Sequence, residues 1–339
     1  MTGGDSFSTA ILSWYAAHGR DLPWRHTKDP YAIWLSEVIL QQTRIAQGIS
    51  YWERFIRRFP DVASLAEAPQ DEVLRLWEGL GYYSRARNLH AAAREIAALG
   101  RFPDTYDGIR RLRGVGDYTA AAIASIAFGA DVAVLDGNVY RVLARYFGRE
   151  EPVGTTAAKK RFSALAQSLL PPGKAADFNQ GMMDFGALVC TPARPACDAC
   201  PLAPGCHARA TGRTESLPVK KAAAPVRERF LRYYYLRCGG WTALHRRPAG
   251  DIWQGLWEPF CLEGAGGDPP EWLRTARPLR RDVIHQLTHR TLHADLYYLE
   301  LPERPALPEG YGWIRDDRLS GYAMPRLVRI LLEAIPPEP

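Results

Sequence analysis

Cys190-Thr191-Pro192-Ala193-Arg194-Pro195-Ala196-Cys197-Asp198-Ala199-Cys200-Pro201-Leu202-Ala203-Pro204-Gly205-Cys206 carries four of the six cysteines of the chain within 17 residues, spaced C-x6-C-x2-C-x5-C. Thiolate sulfur is the soft ligand of iron–sulfur clusters and of structural zinc. A tight ligand set on one short loop closes a site and adds its binding energy to folding. A disulfide framework would require a secreted chain, and residues 1–21 lack the basic start and apolar run of a signal peptide. Zinc sites match one C-x2-C with a second short pair, whereas only one pair here has that spacing. The stretch reads as a metal site whose chemistry alone leaves iron–sulfur and zinc open.

Outside this loop the chain divides. Its 339 residues are enough for two domains with ample cores. A hydrophobic content of 47% with 24% charged residues is that of a folded protein, and no apolar run approaches the ~18 residues needed to span a bilayer. Reduced thiolates without an export signal predict a reducing cytoplasm, at the nucleoid if the source is bacterial. The net charge of +6 favours a polyanionic partner. Before residue 209, apolar residues recur at helical spacing, as in Ile45, Ile49, Trp52, Ile56 and Phe59. Residues 209–229, with Pro218, Pro225 and a basic excess, read as a linker. Beyond it, 231–238, 241–246 and 294–301 read as strands, and Leu327, Ile330, Leu331 and Ile335 form a helical face after Pro325. The expected organisation is an all-α domain (1–208) followed by a smaller α+β domain (230–339).

Three further stretches carry chemistry. Leu112-Arg113-Gly114-Val115-Gly116-Asp117-Tyr118-Thr119-Ala120 joins two helical patterns, and its glycines permit a tight turn that exposes N–H groups at a helix start. Such a turn binds a phosphate without reading a base. In Val134-Leu135-Asp136-Gly137-Asn138-Val139, Asp136 alone reads as an N-cap. In Trp34-Leu35-Ser36-Glu37-Val38-Ile39-Leu40-Gln41-Gln42-Thr43, Glu37 shares a helix face with Ile33 and Leu40. Burial there would raise its pKa, which suits a general acid at neutral pH.

The cysteine spacing resembles the cluster loop of the endonuclease III superfamily of DNA glycosylases, which holds a [4Fe–4S] cluster. By that resemblance Cys190, Cys197, Cys200 and Cys206 are the cluster ligands, and residues 109–128 are the helix–hairpin–helix, with Gly114 and Gly116 on DNA phosphate. Arg113 stands where the family usually has proline and offers a further phosphate contact. Within the superfamily, the strings around Glu37 and Asp136 resemble the MutY family of adenine DNA glycosylases. This implies an all-α helix–hairpin–helix glycosylase domain followed by a MutT-like (Nudix-like) α+β domain. The implied activity is hydrolysis of the N-glycosidic bond of adenine mispaired with 8-oxoguanine or guanine in double-stranded DNA, by a monomer.

The resemblance also implies residue roles. Glu37 protonates N7 of a flipped-out adenine and Asp136 stabilises the sugar cation, in the two-carboxylate manner of glycoside hydrolysis. Tyr118 supports the second carboxylate, and Asn138 orients the acid and the water. Glycosylases that also cut the strand carry a lysine at position 118, since an amine forms a Schiff base, so Tyr118 predicts a purely hydrolytic enzyme. Gln42 and Tyr82 act as wedges around the orphaned base, which Leu40 and Thr43 also face, while Trp24 and Arg25 lie near the adenine pocket. The MutT-like domain lacks the glutamate-rich magnesium helix of its hydrolase relatives, so its expected role is recognition. Leu287-Thr288-His289 stands where the family has Phe-Ser-His, with Thr288 and His289 expected to read 8-oxoguanine. Two other readings are an endonuclease III-like glycosylase/lyase, disfavoured by Tyr118 and the second domain, and a non-catalytic lesion-binding protein, disfavoured by retention of both carboxylates.

Overall fold

The computed structural model describes residues 3–221, 225–264, 266 and 268–336. In chain order the helices are α1 (Gly3–His18), α2 (Pro30–Leu40), α3 (Ile45–Arg58), α4 (Val62–Glu67), α5 (Gln70–Leu76), α6 (Ser84–Leu99), α7 (Tyr106–Arg110), α8 (Asp117–Phe128), α9 (Gly137–Phe147), α10 (Thr156–Ser168), α11 (Ala175–Leu188), α12 (His207–Ala210) and α13 (Arg326–Leu332). The strands all precede α13: β1 (Arg227–Arg237), β2 (Trp241–Arg246), β3 (Trp257–Glu263), β4 (Arg277–Gln286), β5 (Arg290–Glu300) and β6 (Tyr311–Arg315). A helical part followed by an α+β part is the expected class. Among the described residues, no helix is long and apolar enough to cross a membrane.

The chain forms two compact units, Met1–Ala66 with Ala91–Ala222, and Glu67–His90 with Ala223–Pro339. In the first unit α2 runs through the core with nine buried residues, Tyr31 to Ile39, starting on Pro30 with Asp29 as its N-cap. Pro at the first position suits a helix because its missing N–H would be unpaired there anyway. Helix α8 buries Ala120, Ala121, Ala122 and Ala124, so neighbouring backbones approach closely. In α3 the buried residues are Gly48, Tyr51 and Phe55, whereas Ile45, Ile49, Trp52 and Ile56 are half-buried on its flank. Of the expected face Phe59 is fully buried, while the rest is rotated outward because aromatic Tyr51 and Phe55 bury more area than the isoleucines.

In the second unit the strand order is β4-β5-β1-β3-β2-β6, with β1 parallel to β5 and the other pairs antiparallel. One side of the sheet buries Tyr234, Leu236, Ala243, Phe260, Leu273 and Leu299.

The units differ from the sequence boundaries in two places. Segment Glu67–His90 falls inside the expected helical domain at 1–208 and lies in the same compact unit as the sheet. Two ion pairs and a hydrogen bond link the segment to the rest of that unit: Arg246 Nη2 lies 2.9 Å from Asp71, Arg329 Nε 2.8 Å from Glu78, and Arg87 Nη1 donates to the Gln254 carbonyl at 2.7 Å. Sequence patterning sees helix, but not which core a helix joins. The expected linker at 209–229 is also mostly structured. Leu217 is buried, its carbonyl accepts from Arg145 Nε at 3.0 Å, and Val153 N–H donates to the Val219 carbonyl. Strand β1 then begins at Arg227, and residues 222–224 lie outside the described residues.

Candidate active site

In the first unit a cavity of about 320 Å³ is lined by Trp24, Arg25, Glu37, Leu40, Thr43, Tyr118, Asp136, Asn138 and Met183, among others. That volume suits a small-ligand site. Eight of the residues expected from sequence therefore come together, from η1 (Pro23–Arg25), α2 and the turn after it, the start of α8 and the start of α9. Gln42 does not line it. Gly114 and Gly116 line a separate groove with Asp117 and Lys159. Tyr82, Thr288 and His289 belong to the second unit.

Glu37 sits on the apolar face of α2 and is 7% exposed. Burial pushes its carboxyl up to about 7, against the hydrogen bond from Tyr118 and the Arg25 cation and with the help of Asp136. Tyr118 donates to Glu37 Oε2 at 2.8 Å. The Tyr118 hydroxyl is thus bonded to Glu37, where the resemblance implies support of Asp136. Asp136 is the N-cap of α9, accepting from Val139 N–H at 2.8 Å and from Asn138 Nδ2 at 2.8 Å. Burial raises its pKa as well, while these donors and Arg141 oppose the rise. Asn138 thus bonds Asp136 through one of its two Nδ2 hydrogens, and its Oδ1 accepts from Arg141 at 2.8 Å. Helix α11 approaches so closely that a Cβ on Gly186 would lie 2.6 Å from Asn138 Cβ. One neutral-range carboxyl beside a second carboxylate can donate a proton and stabilise positive charge in the same cavity.

Sequence reading missed the groups that hold this arrangement. Asp184 on α11 is fully buried and grips both Arg25 (2.7 and 2.8 Å) and Arg20 (backbone and Nε, each 2.9 Å). Asn179 fixes the approach to Asp136, accepting from Val134 N–H at 3.0 Å and donating to the Val132 carbonyl at 2.8 Å. Arg141 donates to the carbonyls of Cys190 and Gly186, both at 2.6 Å, and Arg145 reaches Cys190 Sγ at 3.4 Å and the Thr191 carbonyl at 2.7 Å. The available signal was polar residues inside otherwise apolar helical faces of α9 and α11, which bury only with partners.

Cys190, Cys197, Cys200 and Cys206 line one small cavity with Arg145, and all four are half-buried free thiols. A four-thiol set spread around a cavity fits a polynuclear cluster as a soft-donor cage.

The hairpin before α8 turns at Gly114 (φ 76°), a left-handed conformation that favours glycine. Gly116 is extended (φ −93°, ψ 177°) with open space where a Cβ would be. Its value lies in leaving the helix start uncovered. Four described non-glycine residues have positive φ: Gln42 (58°), Tyr82 (45°), Arg194 (51°) and Asp282 (57°). Such conformations cost about 1–3 kcal/mol and concentrate at functional sites. Gln42 and Tyr82 are the two residues read as wedges.

In the second unit Thr288 and His289 form the exposed tip of the β4–β5 hairpin, closed by the Leu287 N–H to Arg290 carbonyl bond of 2.8 Å. The Tyr82 and Thr288 hydroxyls hydrogen-bond to each other, beside a cavity of about 640 Å³ that Arg87, Trp253 and Arg326 also line. Between β3 and β4 the described residues hold one 3-10 turn, Glu271–Leu273, and no α-helix. The nearby carboxylates are already engaged: Asp251 by Arg247 (2.8 Å) and Arg229 (2.7 Å), Glu263 by Arg229, and Glu258 by Arg247.

Residues 35–172 match the HhH-GPD superfamily of base excision DNA repair proteins, and residues 232–334 match the NUDIX domain. The adenine DNA glycosylase of Buchnera aphidicola subsp. Acyrthosiphon pisum is 34% identical, with 87% of each chain covered. The chain belongs to the adenine DNA glycosylase family. The mouse adenine DNA glycosylase is 44% identical, over 94% of this chain and 76% of that one. Among solved structures, a thermostable thymine-DNA glycosylase matches with a TM-score of 0.56 and 33% identity, covering 61% of this chain and 97% of that one. The enzyme is thus a DNA glycosylase of base excision repair, with a helical glycosylase domain followed by a Nudix-like domain.

Proposed function

We propose that this adenine DNA glycosylase excises adenine paired with 8-oxoguanine or guanine in duplex DNA, by hydrolysis alone and as a monomer. The observation that carries the reading is Glu37, with its carboxyl near neutral, facing Asp136 in a cavity of small-ligand size. Adenine leaves poorly as an anion. Glu37 protonates N7, the C1′–N9 bond breaks as the base departs neutral, and Asp136 stabilises the oxocarbenium sugar until water adds to C1′. Tyr118 holds Glu37 in place, and Asn138 with Arg141 holds Asp136. Trp24, Leu40 and Thr43 wall the base, and Arg25, whose Nε–H is buried without a partner, offers it a donor. Gln42 and Tyr82 fill the gap left by base flipping, while Gly114 and Gly116 seat a backbone phosphate.

Cys190, Cys197, Cys200 and Cys206 hold a [4Fe–4S] cluster. When bound, it supplies a cross-link that orders the 190–206 loop, including Arg194, against the phosphate backbone. Visible absorbance bleached by dithionite identifies it, since zinc is colourless.

The test is a duplex carrying adenine opposite 8-oxoguanine. Strand breakage is expected only after alkali and heat, with no covalent adduct trapped by borohydride, because Tyr118 supplies no amine. High-yield trapping would overturn the hydrolytic reading, and no breakage by folded protein would overturn the activity.

Thr288 and His289 distinguish 8-oxoguanine from guanine, with Leu287 in place of an aromatic wedge. The Thr288→Ala/His289→Ala double variant is expected to lose roughly fivefold to tenfold in that discrimination, the scale of one hydrogen bond. Competition between the two duplexes measures it.

A further inference from the structure

The chain has four methionines, of which Met1 lies outside the described residues. Met182 and Met324 are 1% and 0% exposed, whereas Met183 is half-buried and lines the cavity that holds Glu37. Its Sδ lies 3.2 Å from the Tyr118 hydroxyl, which is also 2.8 Å from Glu37 Oε2. A phenol has one proton to donate and a thioether is a weak acceptor, so Glu37 receives it. We propose that Met183 is an oxidation-responsive site, where conversion to the sulfoxide draws the Tyr118 hydrogen bond from Glu37 to sulfur-bound oxygen and reversibly suppresses base excision.

The oxidant is a hydroperoxide small enough to enter the cavity. Sulfur attacks one peroxide oxygen, the O–O bond breaks and an S–O bond forms. Sulfur loses two electrons, and the peroxide gains them and leaves as water or an alcohol. The product is polar and a strong acceptor. It competes for the single Tyr118 proton and places an oxygen where the base must sit. Because the Tyr118 bond lowers the pKa of Glu37, its loss also moves the alkaline limb of any remaining activity to higher pH. Excision is expected to fall roughly tenfold or more, the scale of one hydrogen bond to a charged group. This inference rests on the proposed acid role of Glu37.

The experiment treats the full-length, metal-loaded protein with graded hydrogen peroxide. In the same samples it follows sulfoxide at each methionine by peptide fragment mass, visible absorbance, and single-turnover adenine release. Met183 is expected to oxidise before Met182 and Met324, activity to fall in step with it, and methionine sulfoxide reductases A and B together to restore both. The Met183→Leu variant, compared with its own untreated rate, is expected to keep most of its activity at the same dose. The inference is overturned if Met183 stays reduced, if it oxidises without loss of activity, if activity follows bleaching of the visible absorbance instead, or if Met183→Leu is equally sensitive. Lack of adenine release before any peroxide would overturn the proposed function, while oxidation at Met183 is read by mass alone.

Discussion

Glu37→Gln is expected to abolish adenine release while making the folded protein more stable at pH 8. A positioned general acid contributes about 10²–10⁴-fold, so single-turnover release should fall by that factor, with duplex binding retained. The stability effect has the opposite sign. Burial raises the Glu37 pKa from 4.5 to about 7 in the folded protein, so the stability tied to its neutral form is complete below the unfolded value. It is lost as pH rises through the folded one. Above pH 7 the wild type therefore carries a penalty of about 3 kcal/mol, at 1.36 kcal/mol per unit, that glutamine cannot incur. Denaturant midpoints at pH 4 and pH 8 should show the variant gaining only at the higher pH. The wild-type rate should fall on the alkaline side of about 7 as the acid loses its proton. Near-full activity in a folded Glu37→Gln protein would remove Glu37 from the mechanism.

Asp184→Ala is expected to destabilise the first unit by about 3–5 kcal/mol, the usual cost of stripping one partner from a buried charge cluster. Asp184 is fully buried and two arginines depend on it, with Arg25 only 12% exposed. Burial works against the charge of Asp184, but hydrogen bonds from Arg25 and Arg20 outweigh it and hold the pKa below the usual carboxylate range. A depressed pKa contributes stability above the unfolded value that is lost as pH falls. The wild type should therefore lose more stability than Asp184→Ala on acidification below the usual carboxylate range. Activity should fall as well, since Arg25 lines the cavity beside Glu37. Urea titration across that range checks the first effect, and single-turnover kinetics at low denaturant the second. An unchanged midpoint would show that the arginines find other partners.

Much of the fold and site was legible in the chain because the relevant physics is local. The 190–206 ligand spacing, the turn at Gly114, the N-cap at Asp136 and the strand at Trp241–Arg246 each depend on residues a few positions apart. Those patterns placed the helical part, the sheet and the four-cysteine loop, while the resemblance of whole strings to a family singled out the two carboxylates, since Asp136 alone reads as an N-cap. Tertiary structure alone decided who partners whom. Tyr118 meets Glu37 across 81 positions, and Asp184 meets Arg25 across 159 and Arg20 across 164. Segment Glu67–His90 bonds to Arg246, Arg329 and Gln254, partners far along the chain that no local pattern announces. Periodicity reports which face of a helix is apolar. A buried charge must find its counter-charge wherever packing delivers one, and packing is not periodic in the sequence.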